Sequence, residues 1–470
     1  MKKGIIALSL IATLGFTMVG CSQDNTTTET TETTETTETT EVTEATEEVV
    51  SSIEVATLEE VEAALAADNA VVLDARQQEV YSGWSIYDNQ GGHIDGAANF
   101  AANWFVCAYD DDNNLDSLTR EEQLARKMED KGIAADTTVI VYDNNGEDAD
   151  VVASYLVEQG VADVKTFDLQ EWTGDLVTYE NYEIYVPAVV VNELINGETV
   201  EELGDFADPI IIEVSWGSVE NSGYLDGHVP GALHIDSDEF DQPELGYMLQ
   251  TDEVLFELAE SRGITKDSNV IVTGDSINSC RYAIILQYLG CENVYVMSGG
   301  FNGWTNAGFE WETTENTPVA VDDFGLTEPA RPEVIVTVAE AEEIIASDDS
   351  LLIDNRTIEE YNGETSGYSY YDMSGRIEGA VFGRAGEGNS SSMLYYRNPD
   401  ATMRDASEIE AMWEELGVDT DKHLSFFCGN GYRASEILWD AWMMGYENTS
   451  LYADGWIGWS SAGNEIVVGE

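Results

Sequence analysis

A cysteine followed by a short glycine-rich segment is the pattern in this chain with the clearest chemical potential. The apolar run 424–427 predicts a buried strand, and Cys428 follows it directly. The next five residues form a loop that leads into a helix-like segment: Gly429, Asn430, Gly431, Tyr432 and Arg433. Backbone N–H groups of such a loop and of the first helical turn favour an anion. Together with the arginine, they are expected to favour the nucleophilic thiolate form of Cys428.

The size of this loop limits what it can hold. Four residues separate Cys428 from Arg433. A loop this small suits one additional sulfur atom on the cysteine better than a full tetrahedral oxyanion. A buried structural cysteine is the alternative interpretation of a lone Cys, and the glycines and the arginine favour the reactive one.

The first residues of the chain have the pattern of an export signal. Residues 1–20 begin with two lysines and continue as a short apolar run, which predicts a secretory signal peptide. The residues before Cys21 resemble a bacterial lipobox, in which this cysteine is lipidated. Residues 21–52 are mostly Thr and Glu and predict a disordered tether. We therefore expect an exported protein, anchored through Cys21 to the outer face of a bacterial cell membrane.

The charge of the chain excludes one class of function. It has 92 acidic and 19 basic residues, and its formal net charge is −73. Nucleic-acid binding needs a basic footprint and is therefore not expected. The four histidines are scattered, and the five cysteines have no metal-ligand spacing, so neither a metal nor another cofactor is predicted.

One pattern occurs three times along the chain. Each copy has an apolar strand, a Gly-x-x-x-Gly-Ala turn, a helical stretch and a second apolar strand. The three turns lie at 92–97, 227–232 and 375–380. Strands that alternate with helices predict a parallel sheet with helices on both faces, an α/β fold. The predicted domains span 53–186, 187–315 and 333–470, and a proline-containing linker covers 316–332.

These motifs resemble those of the rhodanese-like sulfurtransferase family. The shared features are an Asp-x-Arg strand end, the Gly-His turn, the cysteine-centred loop and a closing tryptophan motif. The third copy is the most similar, and its segment 397–404 resembles exported three-domain thiosulfate sulfurtransferases with one active C-terminal domain. The resemblance implies three tandem rhodanese-like domains, of which the last is catalytic.

The resemblance also implies a reaction. Cys428 would accept a sulfane sulfur from thiosulfate or a related donor as a persulfide, and pass it to cyanide or a thiol. Arg433 would orient the loop. The backbone amides that cradle the persulfide would come from Gly429, Asn430, Gly431 and Tyr432. Because thiosulfate is a dianion and the chain is acidic, we also expect Arg384 and Arg404 to form a positive pocket near Cys428.

The first two copies lack this nucleophile. The first copy has Asp143 at the loop position. In the second copy, alignment of the strand ends puts Gly274 there, whereas alignment of the arginines puts Ser276 there. Both copies are therefore predicted to be catalytically silent, and Cys280 is a less favoured reactive thiol. We expect them to serve as scaffolding, or the second to form a wall of the Cys428 pocket.

Two other functions remain open. A cysteine phosphatase or an arsenate reductase of the same fold would need a longer loop, typically by one residue. A non-catalytic surface protein that uses its rhodanese copies for binding is the stronger alternative, because two of the three copies lack the nucleophile. The predicted partners are small-molecule sulfur donors and acceptors, and the membrane through the lipid anchor.

Overall fold

The computed structural model describes residues 53–108 and 118–469. The predicted signal peptide, Cys21 and the tether lie outside these residues. The described chain contains three five-stranded sheets. All neighbouring strands within each of them run parallel. The predicted α/β fold with three similar domains is therefore confirmed.

The first sheet has the strand order β1-β5-β4-β2-β3. Its strands are β1 (Glu54–Val55), β2 (Ala70–Asp74), β3 (Ala98–Asn99), β4 (Thr138–Asp143) and β5 (Asp163–Asp168). The helices of this domain are α1 (Leu58–Leu65), α2 (Gln78–Ser82), α3 (Arg120–Asp130) and α4 (Glu147–Glu158). The apolar residues of β2 and β4 are mostly buried, as expected for central parallel strands.

The second sheet has the order β6-β12-β11-β7-β8. The strands of this domain, including a short hairpin of β9 and β10, are β6 (Tyr185–Val186), β7 (Ile210–Ser215), β8 (Leu233–Asp236), β9 (Asp241–Gln242), β10 (Met248–Leu249), β11 (Asn269–Gly274) and β12 (Asn293–Met297). Its helices are α5 (Ala188–Ile195), α6 (Asp252–Ser261), α7 (Ser276–Leu289) and α8 (Gly300–Asn306).

One predicted boundary differs from the observed strand pairing. Strand β6 pairs with β12 of the second sheet, so the first domain ends before Tyr185 and not at residue 186. A two-residue strand has too little pattern to be recognised from sequence. The predicted linker 316–332 packs on the second domain, because Phe324 is fully buried in its core and its carbonyl accepts a hydrogen bond from the Lys266 N–H.

The third sheet has the order β13-β18-β17-β14-β16. The strands of this domain, including the antiparallel pair of β15 and β19, are β13 (Ile335–Val336), β14 (Ser350–Asp354), β15 (Arg376–Ile377), β16 (Val381–Phe382), β17 (His423–Phe427), β18 (Thr449–Tyr452) and β19 (Ile466–Val467). Its helices are α9 (Val338–Ala346), α10 (Ile358–Tyr361), α11 (Ala406–Leu416), α12 (Tyr432–Met443) and α13 (Gly455–Ser461).

The second and third domains share one hydrophobic core. Helix α7 packs against helix α12, and residues such as Leu286 and Leu438 belong to the same buried cluster. This contact places the start of α7 close to the loop that precedes α12. Within the described ranges, no helix has both the length and the apolar character that crossing a bilayer requires.

Candidate active site

Cys428 lies where a ligand site is expected in a parallel sheet, just beyond the carboxyl end of a central strand. It follows β17, which is flanked by β14 and β18. The residue is only 1% exposed. It nevertheless lines a cavity of about 420 Å³, together with residues of the third domain and with Ile277 of α7. The sulfur is therefore held in the protein but faces a space that can hold a small molecule.

The loop after Cys428 is held by hydrogen bonds from helix α13. The N–H of Trp456 donates to the carbonyl oxygen of Cys428 at 2.8 Å, and the N–H of Ile457 donates to that of Gly429 at 2.9 Å. In a trans peptide unit the C=O and the N–H point in opposite directions. The N–H groups of Gly429 and Asn430 therefore point away from Trp456 and Ile457.

Gly431 ends this loop with a backbone that only glycine adopts easily. Its φ is 91°, in the left-handed region, and it caps the N-terminus of α12. A β-carbon at this position would lie 2.3 Å from Nη1 of Arg281, which comes from α7 of the second domain. The second domain therefore contacts the loop directly.

Arg433 is fully engaged with a carboxylate. Its two terminal nitrogens donate to the two carboxylate oxygens of Glu360 at 2.9 and 3.0 Å, and Nη2 also donates to the Tyr368 hydroxyl at 3.0 Å. Burial opposes the charge of Arg433, but Glu360 outweighs it and holds the pKa of the guanidinium well above its usual value. Arg433 thus connects the start of α12 to α10 by a bidentate ion pair.

Two tyrosines beside Cys428 were not predicted from the sequence. Tyr368 and Tyr370 both line the Cys428 cavity. A β-carbon on Gly429 would lie 1.9 Å from the Tyr368 hydroxyl, so only glycine fits there. The Asn430 amide donates to the Tyr370 hydroxyl at 3.3 Å. Burial raises the pKa of both tyrosines, which therefore present neutral O–H groups to the cavity. The segment Gly-Tyr-Ser-Tyr-Tyr at 367–371 is an aromatic cluster that sequence inspection could have marked.

The side chain of Tyr432 is bound by the second domain. Its hydroxyl donates to Oδ2 of Asp241 at 2.6 Å, and its ring lies under the guanidinium of Arg281 at 4.6 Å. Arg281 in turn donates to Oδ1 of Asp241 at 2.7 Å. Burial raises the pKa of Asp241 to about 6, although Arg281 and Tyr432 oppose the rise. These three residues form an interdomain clamp on the loop.

Arg384 and Arg404 are not brought to the Cys428 cavity, contrary to expectation. Neither residue lines it. Arg404 is buried and pairs with Asp130 at 2.9 Å and with Glu408. Arg384 stacks on the ring of Tyr395 at 4.0 Å. The physical reason is that an arginine in a chain this acidic readily finds carboxylate partners close to it. No positive pocket of these two residues forms beside the cysteine.

In the first domain, an aspartate occupies the position of the cysteine. Strand β2 pairs Asp74 with Tyr142, just as β14 pairs Asp354 with Phe427, so Asp143 corresponds to Cys428. The Asp143 carboxylate accepts hydrogen bonds from four loop amides, those of Asn145, Gly146, Asp148 and Ala149. The anion cradle thus exists in this domain and is filled by the chain's own carboxylate.

In the second domain, strand register decides between the two alignments left open by the sequence. Strand β7 pairs Val214 with Gly274 and Glu213 with Thr273, so Gly274 takes the position of Cys428 and Ser276 does not. Cys280 is fully buried against the Tyr185 hydroxyl. Burial raises the pKa of this thiol well above its ordinary value, which keeps it in the unreactive protonated form.

The chain resembles known proteins over most of its length. The rhodanese-like domain family matches residues 57–173, 197–307 and 337–462. Thiosulfate sulfurtransferase YnjE of Escherichia coli K12 is 32% identical over 409 residues, which are 86% of this chain and 90% of that protein.

Solved structures of the same architecture exist. The anaerobic ergothioneine biosynthesis enzyme from Chlorobium limicola, in complex with its natural substrate trimethyl histidine, is 32% identical with a TM-score of 0.81, covering 89% of this chain and 100% of that one. A structure of EanB with a cysteine persulfide in a tetrahedral intermediate state with ergothioneine has the same identity and TM-score, over 88% and 100% of the two chains. With three matched domains and a full-length relative above 30% identity, the chain belongs to the rhodanese family of sulfurtransferases.

Proposed function

We propose that this protein transfers a sulfane sulfur from thiosulfate or a related donor to a small acceptor through a persulfide on Cys428. The observation that supports this most directly is the position of Cys428, which lines a cavity at the start of a loop whose first two carbonyl groups are bound by N–H groups of α13. The same position in the first domain supports the argument, because there the loop amides bind a carboxylate, Asp143.

The reaction consists of two displacements. The Cys428 thiolate attacks the outer sulfur of thiosulfate, the sulfur–sulfur bond of the donor breaks, and sulfite leaves with the bonding electrons. The product is a Cys428 persulfide whose terminal sulfur carries the negative charge. A thiolate or cyanide then attacks that sulfur and releases the Cys428 thiolate. The amides of Gly429 and Asn430 stabilise the charge in both steps.

A second candidate differs in the acceptor. Among the described residues, Arg433 is the one cationic residue that lines the cavity, and its charge is balanced by Glu360. The remaining described walls are largely neutral tyrosine and serine side chains, including Tyr368, Tyr370 and Ser391. Aromatic rings favour an organic cation, and the Chlorobium limicola enzyme acts on trimethyl histidine. Transfer of the sulfur to a heterocycle that carries a cationic trimethylammonium group is therefore the alternative to a thiol or cyanide acceptor.

Mass spectrometry tests the persulfide. The full chain is treated with thiosulfate, digested and analysed, and we expect the added mass of one sulfur atom on the peptide that contains Cys428. The variant Cys428→Ser should lose this addition, whereas Cys107→Ser, which removes a partly exposed thiol, should keep it. A wild-type Cys428 peptide that never gains sulfur, from thiosulfate or from polysulfide, contradicts the proposal. Loaded protein is then offered cyanide, cysteine and trimethyl histidine separately, and the product identifies the acceptor.

The cellular location is part of this proposal. The signal pattern and the lipobox-like sequence before Cys21 support an exported protein anchored outside a bacterial cell membrane. Metabolic labelling with a radioactive fatty acid should mark the wild-type protein but not Cys21→Ala. Equal labelling of both would contradict the anchor.

A further inference from the structure

The second domain has a cavity at the position where the third has its cysteine loop. Strand β11 ends at Gly274, and α7 begins two residues later at Ser276, so no loop fills this end of the sheet. The remaining space measures about 410 Å³. The described residues that line it include Glu213, Phe301 and Trp311, and Arg397 from the third domain.

Glu213 is buried without the partner that its equivalents have. In the other two domains the corresponding aspartates form ion pairs with an arginine two residues later, Asp74 with Arg76 at 2.6 Å and Asp354 with Arg356 at 2.7 Å. The second domain has a serine at that later position, and its hydroxyl is bonded to His234. Glu213 is 1% exposed, and its Oε2 has no hydrogen-bond partner among the described residues.

The other charged groups in this wall are already paired. Arg397 contacts Asp275 at 3.2 Å and Glu436, one helical turn beyond the cysteine loop, at 2.6 Å. A buried carboxyl group without a hydrogen bond is costly. Burial accordingly raises the pKa of Glu213 to about 8. A ligand that brings a positive charge and an N–H donor would satisfy this group.

Two aromatic rings lie in the same cavity. The ring centroids of Phe301 and Trp311 are 6.2 Å apart and their planes are tilted by 57°. Aromatic faces attract organic cations, and tryptophan does so most strongly. The carboxyl group and the rings therefore favour the same kind of ligand.

We propose that this cavity binds a small organic cation with N–H donors, an amine or a guanidinium, through Glu213 and the rings of Phe301 and Trp311. The site is separate from Cys428 and does not depend on sulfur transfer. It gives the catalytically silent second domain a function in ligand recognition.

Isothermal titration calorimetry of the full chain tests the site. The probes are n-butylguanidinium and n-butylammonium, and the neutral isostere n-butylurea is the control. We expect both cations to bind, butylurea to bind at least tenfold more weakly, and Glu213→Gln to reduce the affinity for the cations at least tenfold. Glu253→Gln, an exposed change on α6 of the same domain, should leave the affinity unchanged. Failure of both cations to bind the wild type overturns the proposal, as does equal binding to Glu213→Gln.

A second measurement covers the case in which Glu213→Gln does not fold. Binding of a cation to a protonated carboxyl group releases a proton, so the observed heat near pH 7 should depend on the ionisation enthalpy of the buffer. Trp311→Leu should weaken binding several-fold and keep the buffer dependence. Cation binding by the wild type with no proton release overturns the role of Glu213.

Discussion

The hydroxyl of Tyr432, in the cysteine loop, donates a 2.6 Å hydrogen bond to the carboxylate of Asp241, in the second domain. Arg281 of the same domain binds the other oxygen of that carboxylate. The conformation of the cysteine loop therefore depends on contacts with the neighbouring second domain. The second domain thus contributes directly to the surroundings of Cys428.

The variant Tyr432→Phe removes this hydrogen bond and keeps the ring under Arg281. A hydrogen bond to a charged group contributes about 1.5–3 kcal/mol. We expect the free energy of unfolding at pH 8, measured in urea, to fall by about that amount, and the rate of sulfur transfer to fall with it. The control is Tyr446→Phe, whose hydroxyl donates to Glu410 at an exposed position. Equal effects of the two variants on the free energy of unfolding and on the rate of sulfur transfer would show that the interdomain hydrogen bond contributes no more than an exposed one.

The variant Glu360→Gln leaves the Arg433 guanidinium buried without its counter-charge. Removal of one member of a buried ion pair costs about 3–5 kcal/mol. We expect a loss of stability of that order in a denaturant titration, and slower persulfide formation, because Arg433 no longer holds the loop against α10. The exposed change Glu364→Gln should alter neither quantity. An unchanged rate of persulfide formation in Glu360→Gln would show that the ion pair of Arg433 does not position the cysteine loop.

The features recognised from the sequence are the local ones. The apolar strand, Cys428 and the glycine at 431 stand together in one segment, and the repeated turn reveals the number of domains. The partners of the loop were not recognised, because Tyr368 and Arg281 lie 60 and 147 positions away from Cys428 in irregular or unrelated segments. Contacts of this range depend on how domains pack, and no local periodicity encodes them.

For Arg384 and Arg404, the sequence predicts a contact with the active site that the structure does not contain. The sequence places Arg404 near Cys428 only through a charge argument, because a dianionic donor needs a cationic partner in an acidic chain. Its partner Glu408 lies four residues later, in the first turn of α11, and the two form an ion pair. A count of nearby carboxylates would have predicted a paired Arg404. In an acidic chain most arginines have a carboxylate partner, so a prediction that an arginine is free to bind substrate needs separate evidence.

The first-domain loop can be tested through Asp143. Its carboxylate accepts several backbone N–H groups, and Asp143→Ala leaves them without an acceptor in a buried site. We expect the free energy of unfolding to fall by about 2–4 kcal/mol, since hydrogen bonds to a charged group are worth about 1.5–3 kcal/mol each and water replaces some of them. Asp136→Ala, at an exposed position of the same domain, is the control. A loss no larger than that of the control would contradict the filled-cradle interpretation.

The choice of acceptor can be tested at Tyr370. If a cationic acceptor binds in the Cys428 cavity, Tyr370→Ala should raise its KM roughly 2–30-fold, as expected for the loss of a cation–π contact of about 0.5–2 kcal/mol. The first step, loading of Cys428 from thiosulfate, should change much less. Tyr288→Ala, remote from the cavity, serves as the control in the same steady-state assay. If the KM for cyanide rises as much as that for trimethyl histidine, the tyrosine does not select a cation.

The dependence of stability on pH can be tested at Glu213. Burial raises the pKa of Glu213 from 4.5 to about 8, so the folded protein binds a proton that the unfolded chain releases above pH 4.5. The folded state therefore binds more protons in this interval, and Glu213 makes the free energy of unfolding fall as pH rises from about 4.5 to 8. In Glu213→Gln this contribution, on the order of a few kcal/mol, should be absent. Urea unfolding at pH 5, 6, 7 and 8 should give a shallower decline for Glu213→Gln than for the wild type and Glu253→Gln. Parallel curves for all three proteins would mean that Glu213 is ionised in the folded protein, with a partner or with water.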